Sequence, residues 1–271
     1  MNLASRSASD DIRSLQRVCD VFGIEPVVIG AMAYQTLIPD SDRPTEDLDV
    51  AVALDLDVFA VFKKNLIEAG WQQDPFEEQR WRGPNGSFVD ILPAGPKARM
   101  TGHIIWPESE MRMSLIGFDH VFAKAVELKV APELRLKVIP LQVLFLLKIA
   151  AFLDDEQRRL KDLADVHSLL KVYERNSERV YSDEVFDADL SDIQFAPALL
   201  LGRDLASLCN PNERKLVGSF LARAKDVQLL WQLLEYEGTT EAAEETLRLR
   251  LRSFEKGFNQ EENDGPASPQ N

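Results

Sequence analysis

The first 139 residues alternate between short apolar runs and amphipathic stretches, which is the pattern of a mixed α/β domain. Over residues 9–22, apolar side chains recur at three- and four-residue spacing and predict an amphipathic helix that Ser9 or Asp10 caps. The run at 26–29 predicts a buried strand, and a helix is expected to begin at Gly30. This half of the chain therefore opens with helix, strand and helix.

Further along, residues 46–54 predict a second strand, and Asp55 is the predicted cap of a helix that ends at Gly70. Residues 39–42 predict a loop between the helix that begins at Gly30 and the strand over 46–54. Turn-forming residues then predict two β-hairpins. Their strands are 80–82 with 88–92, and 125–130 with 134–138. Residues 97–110 favour no single type of element.

From Pro140 onward the pattern is helical. The predicted helices are 141–153, 156–173, 197–208, 212–236 and 240–258. Residues 182–192 predict an acidic loop, and the polar composition of 259–271 predicts disorder. The predicted organisation is an α/β (α+β) domain with a mixed sheet over 1–139, a helical domain over 140–258 and a disordered tail over 259–271.

The composition narrows the class of protein. Hydrophobic residues make up 45% and charged residues 28% of the chain, as in soluble globular proteins. The formal charge of −14 argues against a general polyanion-binding surface, although a local basic patch stays compatible with it. Cys19 and Cys209 are expected to be reduced thiols of a cytosolic protein. No signal peptide is recognisable, and the longest apolar run, 141–153, is too short to span a bilayer, so a cytoplasmic protein without membrane contact is predicted.

Carboxylates on predicted strands are the first candidates for chemistry. In an extended strand Asp47 and Asp49 point to the same face, where their like charges repel each other. A divalent cation would relieve that repulsion, because hard cations prefer carboxylate oxygens. Asp90 is a lone carboxylate within the apolar strand 88–92. Three acidic residues therefore mark one candidate site, with a solvent-facing strand edge and a structural aspartate as the alternatives.

Two further features suit a phosphate group. Gly30 precedes a predicted helix, whose N-terminal N–H groups and dipole favour anions. Lys148 lies among apolar residues and needs an anion, which Asp162, Asp165 or a nucleotide can supply. The alternatives are a lysine that extends to solvent and a solvated ion-pair ladder along the helix that carries the two aspartates. Backbone donors, carboxylates for Mg²⁺ and a base are the parts that nucleotidyl transfer needs.

These residues resemble the nucleotidyltransferase superfamily that includes DNA polymerase β, and within it the AbiEii-type toxins of type IV toxin–antitoxin systems. The resemblance covers roughly residues 27–173. It rests on Gly30-Ala31, Arg43-x-Thr45-x-Asp47-x-Asp49, Asp90, Lys148 and the segment from Arg158 to Asp165. The family usually has Gly or Ser where this chain has Ala31, so a hydroxyl that could contact phosphate is absent here.

The resemblance implies roles for individual residues. The implied catalytic and metal-binding residues are Asp47, Asp49 and Asp90. The implied nucleotide-binding residues are Gly30, Ala31, Arg43, Thr45, Lys148 and Asp162. Asp90 would also help to deprotonate the acceptor hydroxyl, and the active site would lie in a cleft between the two domains.

The implied reaction is the Mg²⁺-dependent transfer of a nucleoside monophosphate from an NTP to a hydroxyl acceptor, with Mn²⁺ as an alternative ion. The resemblance suggests tRNA as the acceptor and a cognate antitoxin as a partner. One alternative is a small-molecule nucleotidyltransferase of the antibiotic-modifying type. The other is a non-catalytic nucleotide-binding or interaction protein on the same fold.

Overall fold

The apolar runs of the first half form a mixed sheet of seven strands in the part of the chain that the computed structural model describes, residues 6–38, 47–131, 133–239 and 242–260. The strands are β1 Val27–Ile29, β2 Leu48–Val52, β3 Gln72–Gln73, β4 Arg80–Arg82, β5 Phe88–Pro93, β6 His103–Ile105, β7 Arg112–Ser114, β8 Val126–Ala131 and β9 Leu134–Val138. The sheet order is β3-β4-β5-β2-β1-β9-β8, and β6 pairs with β7 in a separate sheet. A mixed α/β fold is thereby confirmed.

Strand pairing places β2 at the centre of the sheet, parallel to β5 and antiparallel to β1. Both predicted hairpins are confirmed, because β4 pairs antiparallel with β5 and β8 pairs antiparallel with β9. The ambiguous segment 97–110 contains all but the first residue of a short helix, followed by β6. The predicted loop at 39–42 lies outside the described residues, as does most of the predicted disordered tail.

The chain divides into two units with a boundary between Leu144 and Phe145, while the predicted domain bounds of 1–139 and 140–258 stay predictions. The helices of the first unit are α1 Arg6–Val21, α2 Gly30–Leu37, α3 Leu56–Glu68, α4 Pro96–Thr101 and α5 Phe118–Lys124. The predicted cap of α1 at Ser9 or Asp10 is wrong, because the chain is already helical at Arg6 and Ser9 is buried within the helix. At α3, Asp55 holds the cap position, yet its Oδ1 accepts a hydrogen bond from the Ala98 N–H instead.

A buried carboxylate on α1 holds the turn of the β4–β5 hairpin. Asp11 accepts hydrogen bonds from the backbone N–H of Asn85 at 2.9 Å and of Ser87 at 3.0 Å, and from the Asn85 side chain at 2.9 Å. Trp81 of β4 is fully buried. The turn of this hairpin is therefore held against α1.

The second unit is helical, as predicted. Its helices are α6 Leu141–Asp154, which begins just before the boundary, α7 Leu160–Val172, α8 Asp183–Phe186, α9 Ala196–Leu208, α10 Pro211–Arg223, α11 Val227–Tyr236 and α12 Ala242–Gln260. The prediction of one helix over 212–236 is wrong, because Asp226 accepts a hydrogen bond from the Leu229 N–H at 3.0 Å and caps a new helix there. The predicted loop at 182–192 contains α8.

Helices α9 and α12 pack closely in this second unit. A Cβ atom on Gly257 would lie 2.1 Å from the Leu199 carbonyl oxygen, so the two backbones approach at a distance that only glycine permits. Phe145 and Phe254 lie beside this contact with ring centroids 4.9 Å apart. Within the described ranges, no helix is both long and apolar enough to cross a membrane.

Both cysteines are free thiols, in agreement with the prediction. Cys19 is buried on α1, and Cys209 is half-buried after α9. Burial is the main cause that raises the pKa of each thiol to about 12. Both side chains are therefore protonated near neutral pH and act as small apolar residues.

Candidate active site

Three aspartates meet at neighbouring strands of the central sheet. Asp49 of β2 and Asp90 of β5 are register partners in a parallel pair, so their backbones lie about 4.8 Å apart. Asp47 precedes β2 by one residue, and alternation along the chain directs its side chain toward the face of Asp49. The side chains of Asp47 and Asp90 are 41% and 15% exposed, which leaves both accessible to a ligand.

An arginine that the sequence interpretation did not single out joins two of these carboxylates, Asp47 and Asp90. Arg80 of β4 is the register partner of Asp90 across the hairpin. Its Nε donates to Asp90 Oδ1 at 2.9 Å, and its Nη2 donates to Asp90 Oδ2 at 3.1 Å and to Asp47 Oδ2 at 2.9 Å. Glu77 Oε2 lies 3.2 Å from the same Nε.

The hydrogen bonds to Asp90 are the largest cause that raises the pKa of the Arg80 guanidinium above its ordinary value, and the charges of Asp47 and Glu77 act in the same direction. The arginine is therefore a permanent positive charge inside the aspartate cluster. The predicted hairpin held the signal for this residue, because its register pairs position 80 with position 90.

Gly30 permits the close approach of Asp49 to the first residue of α2. The antiparallel pairing of β1 with β2 places Ile29 opposite Asp49, and a Cβ atom on Gly30 would lie 2.1 Å from Asp49 Oδ2. The φ angle of Gly30 is +64°, a left-handed conformation that favours glycine. The glycine that sequence predicted for phosphate binding thus also makes room for a carboxylate. Ala31 follows it, half-buried in the first turn of α2.

We expect Gly30→Ala to lower the free energy of unfolding by more than Gly23→Ala does. Both glycines have φ near +64° or +63°, so each substitution costs about 1–2 kcal/mol for the backbone conformation. Nothing lies within 4 Å of a Cβ atom on Gly23, whereas at Gly30 the Asp49 carboxylate must move, which adds about 1–3 kcal/mol. Urea denaturation of both variants measures the difference. Equal losses would contradict the steric role of Gly30.

Lys148 lies in an ion-pair cluster within the second unit. Its Nζ on α6 contacts Asp162 Oδ1 at 2.6 Å and Asp165 Oδ2 at 2.8 Å, both on α7. The three side chains are only 13%, 3% and 7% exposed. The alternatives of a lysine extending to solvent and of a solvated ladder are both wrong, because the packing of α6 on α7 buries all three charges. Arg159 Nη1 also lies 3.5 Å from Asp162 Oδ2.

The predicted nucleotide contacts of the remaining site residues stay predictions. Arg43 and Thr45 lie outside the described residues. Lys148 and Asp162 are paired with each other, and their predicted contact with a nucleotide stays a prediction. The predicted position of the active site in a cleft between the domains also stays a prediction.

The aspartate cluster fits a divalent cation by chemistry, because its donors are the carboxylate oxygens that Mg²⁺ and Mn²⁺ prefer. Within the described ranges, no group of three or more His, Cys, Asp or Glu residues is arranged to hold a metal ion. Between Asp47 and Asp90 the positive charge is that of Arg80. The donors are of the right type, and an arginine currently balances their charge.

The model of the family described as "Nucleotidyl transferase AbiEii toxin, Type IV TA system" matches residues 13–268. The chain belongs to this family, which confirms the resemblance inferred from its motifs. Membership of a family of transferases favours an enzyme over a non-catalytic binding protein.

Several solved structures of low sequence identity are similar to this chain. An antigenic nucleotidyltransferase-like protein from Paracoccidioides brasiliensis is 17% identical with a TM-score of 0.42, over 73% of this chain and 92% of that chain. JHP933 from Helicobacter pylori is 14% identical with a TM-score of 0.35, over 96% of this chain and 95% of that chain. Among curated proteins, none matches this chain.

Proposed function

We propose that this protein transfers a nucleoside monophosphate from an NTP to a hydroxyl group of tRNA in a reaction that depends on Mg²⁺. The register pairing of Asp49 with Asp90 on parallel strands is the observation that carries the proposal. It supports a shared site for hard cations at adjacent strands, with Asp47 joined to the same cluster through Arg80. Family membership supplies the nucleotidyl transfer and the toxin–antitoxin context.

The three aspartates of the cluster are proposed to bind the metal ion and to assist proton transfer. Asp47, Asp49 and Asp90 would hold the divalent cation, with Mn²⁺ as the alternative to Mg²⁺. When bound, such an ion neutralises the triphosphate and makes the α-phosphorus more electrophilic. Asp90 helps to take the proton from the acceptor hydroxyl as its oxygen bonds to the α-phosphorus. The bond between the α-phosphorus and the bridging oxygen breaks, and pyrophosphate leaves.

Several residues are proposed nucleotide contacts. In the first unit, the backbone N–H of Ala31 in the first turn of α2 is suited to a phosphate oxygen, because the first turn of a helix has N–H groups without intrahelical partners. Ala31 has no hydroxyl, so that contact is confined to the backbone. Arg43 and Thr45 are proposed phosphate contacts, and so is Lys148 with Asp162 as its anchor. A cytoplasmic location and a cognate antitoxin complete the proposal.

The test is a labelling reaction with NTPs that carry the label on the α-phosphate or on the γ-phosphate. The protein is incubated with Mg²⁺ and total cellular RNA, and in parallel with cellular protein and with small metabolites. We expect the α-label, and not the γ-label, to appear on tRNA, because the transferred group is the nucleoside monophosphate. Label on a small molecule alone would replace tRNA with the antibiotic-type acceptor. No transfer to any acceptor would overturn the proposal.

A further inference from the structure

Arg80 uses the same oxygen atoms that a divalent cation would use. It engages both carboxylate oxygens of Asp90 and one oxygen of Asp47, at 2.9 to 3.1 Å. A bidentate arginine–carboxylate pair is among the stronger hydrogen-bonded ion pairs in proteins. A cation that takes these oxygens as ligands therefore competes with the guanidinium for them.

We propose that Arg80 is the resident counter-cation of the active site, which competes with the divalent cation and moves to the triphosphate when metal and nucleotide bind together. This inference rests on the proposed function, because it assumes that the metal and the NTP share the aspartate cluster. It adds a residue that the family motifs of this chain do not include. It also adds an order of events, in which metal binding alone is unfavourable.

The placement of Arg80 suits such an exchange. Its backbone is held by β4 between β3 and β5, and the turn that follows is held by Asp11. Its side chain is long and 29% exposed, so the guanidinium can turn while the strand stays in place. A triphosphate offers the planar fork the same bidentate geometry as a carboxylate. The arginine therefore exchanges one anionic partner for another.

Competition of this kind makes metal binding depend on nucleotide. Without nucleotide, an ion that takes these oxygens weakens the contacts of Arg80 with Asp47 and Asp90 and leaves Glu77 as the remaining carboxylate beside the guanidinium. With nucleotide, the triphosphate replaces the lost contacts. Metal and nucleotide should then bind cooperatively in the wild-type protein, and this coupling should shrink when residue 80 has no charge.

The test measures Mn²⁺ binding to the full chain by electron paramagnetic resonance, first without nucleotide. We expect Arg80→Ala and Arg80→Gln to bind Mn²⁺ at least about tenfold more tightly than wild type, because a positive charge has left the cluster. Arg82→Ala is the matched control, since Arg82 lies two residues away on the same strand and is exposed. It should bind Mn²⁺ like wild type. Circular dichroism of each variant checks that it is folded, and Arg80→Gln retains polar bulk at the position.

The second titration adds an NTP analogue whose bond between the α- and β-phosphates cannot be cleaved. We expect the analogue to tighten Mn²⁺ binding at least about tenfold in wild type, and clearly less in Arg80→Gln. Asp90→Asn in the Arg80→Gln background should weaken Mn²⁺ binding, which places the ion at the cluster.

Equal or weaker Mn²⁺ binding by both Arg80 variants would overturn the inference, and so would undiminished coupling to the analogue. The labelling reaction separates this failure from failure of the proposed function. If wild type labels tRNA while the Arg80 variants bind Mn²⁺ like wild type, only the competition is wrong. If wild type labels no acceptor and none of the proteins binds Mn²⁺, both are wrong.

Discussion

Asp49→Asn is expected to lower the rate of nucleotide transfer by on the order of 10³-fold, the equivalent of a few kcal/mol of transition-state stabilisation by a bound metal ion. The substitution removes one negative charge from the cluster and keeps the size of the side chain. Asparagine therefore still fits over Gly30, and the fold should be retained. The measurement is kcat/KM for the transfer of α-labelled nucleotide.

Asp57→Asn is the matched control for this prediction. Asp57 is an exposed carboxylate at the start of α3 that pairs with Lys97, and it lies outside the aspartate cluster. Its substitution should leave kcat/KM close to the wild-type value. A variant at Asp49 that transfers nucleotide as fast as the Asp57 variant would remove Asp49 from the catalytic residues.

Lys148→Met is expected to lower the free energy of unfolding by about 3–5 kcal/mol, the typical cost of removing one partner from a buried ion pair. Asp162 and Asp165 are 3% and 7% exposed, so without the lysine their negative charges would remain close together in a poorly solvated site. The methionine fills the space of the lysine stem and leaves the charge as the main change. Urea denaturation measures the loss.

Two further variants separate charge from packing at this cluster. Lys161→Met removes an exposed lysine from α7, one residue before Asp162, and should change the free energy of unfolding by less than about 0.5 kcal/mol. Adding Asp162→Asn to Lys148→Met should recover part of the stability, because one of the two carboxylates that lost the lysine is then neutral. If Lys148→Met unfolds like wild type, the cluster is not the stabilising ion pair described above.

Local sequence patterns correctly predicted features that depend on a single strand or turn. The alternation of Asp47 and Asp49 along an extended chain follows from strand geometry, and Asp90 stood out because it interrupts an apolar strand. Both hairpins were predicted from their turn residues. Even so, the helix over 212–236 was predicted as one element, because apolar spacing continues across the break that the Asp226 cap creates.

Partners that come from distant segments were not predictable in the same way. Lys148 needed an anion, and the sequence left two aspartates and a nucleotide as candidates. The packing of α6 against α7 places Asp162 and Asp165 beside the lysine, and its contact with a nucleotide stays a prediction. For Asp11, the sequence likewise indicates only a polar residue on an amphipathic helix. The approach of the hairpin turn makes it an acceptor of three hydrogen bonds.

The sequence by itself determined the mixed α/β class, the helical second half and the family resemblance that the family match confirms. Only the tertiary structure decided that Asp49 lies over Gly30, that it pairs in register with Asp90, and that Arg80 balances the charge of the cluster. The physical reason is that periodicity and turn chemistry act over a few neighbouring residues. Strand register and the neutralisation of charge, in contrast, depend on which distant segments the sheet brings side by side.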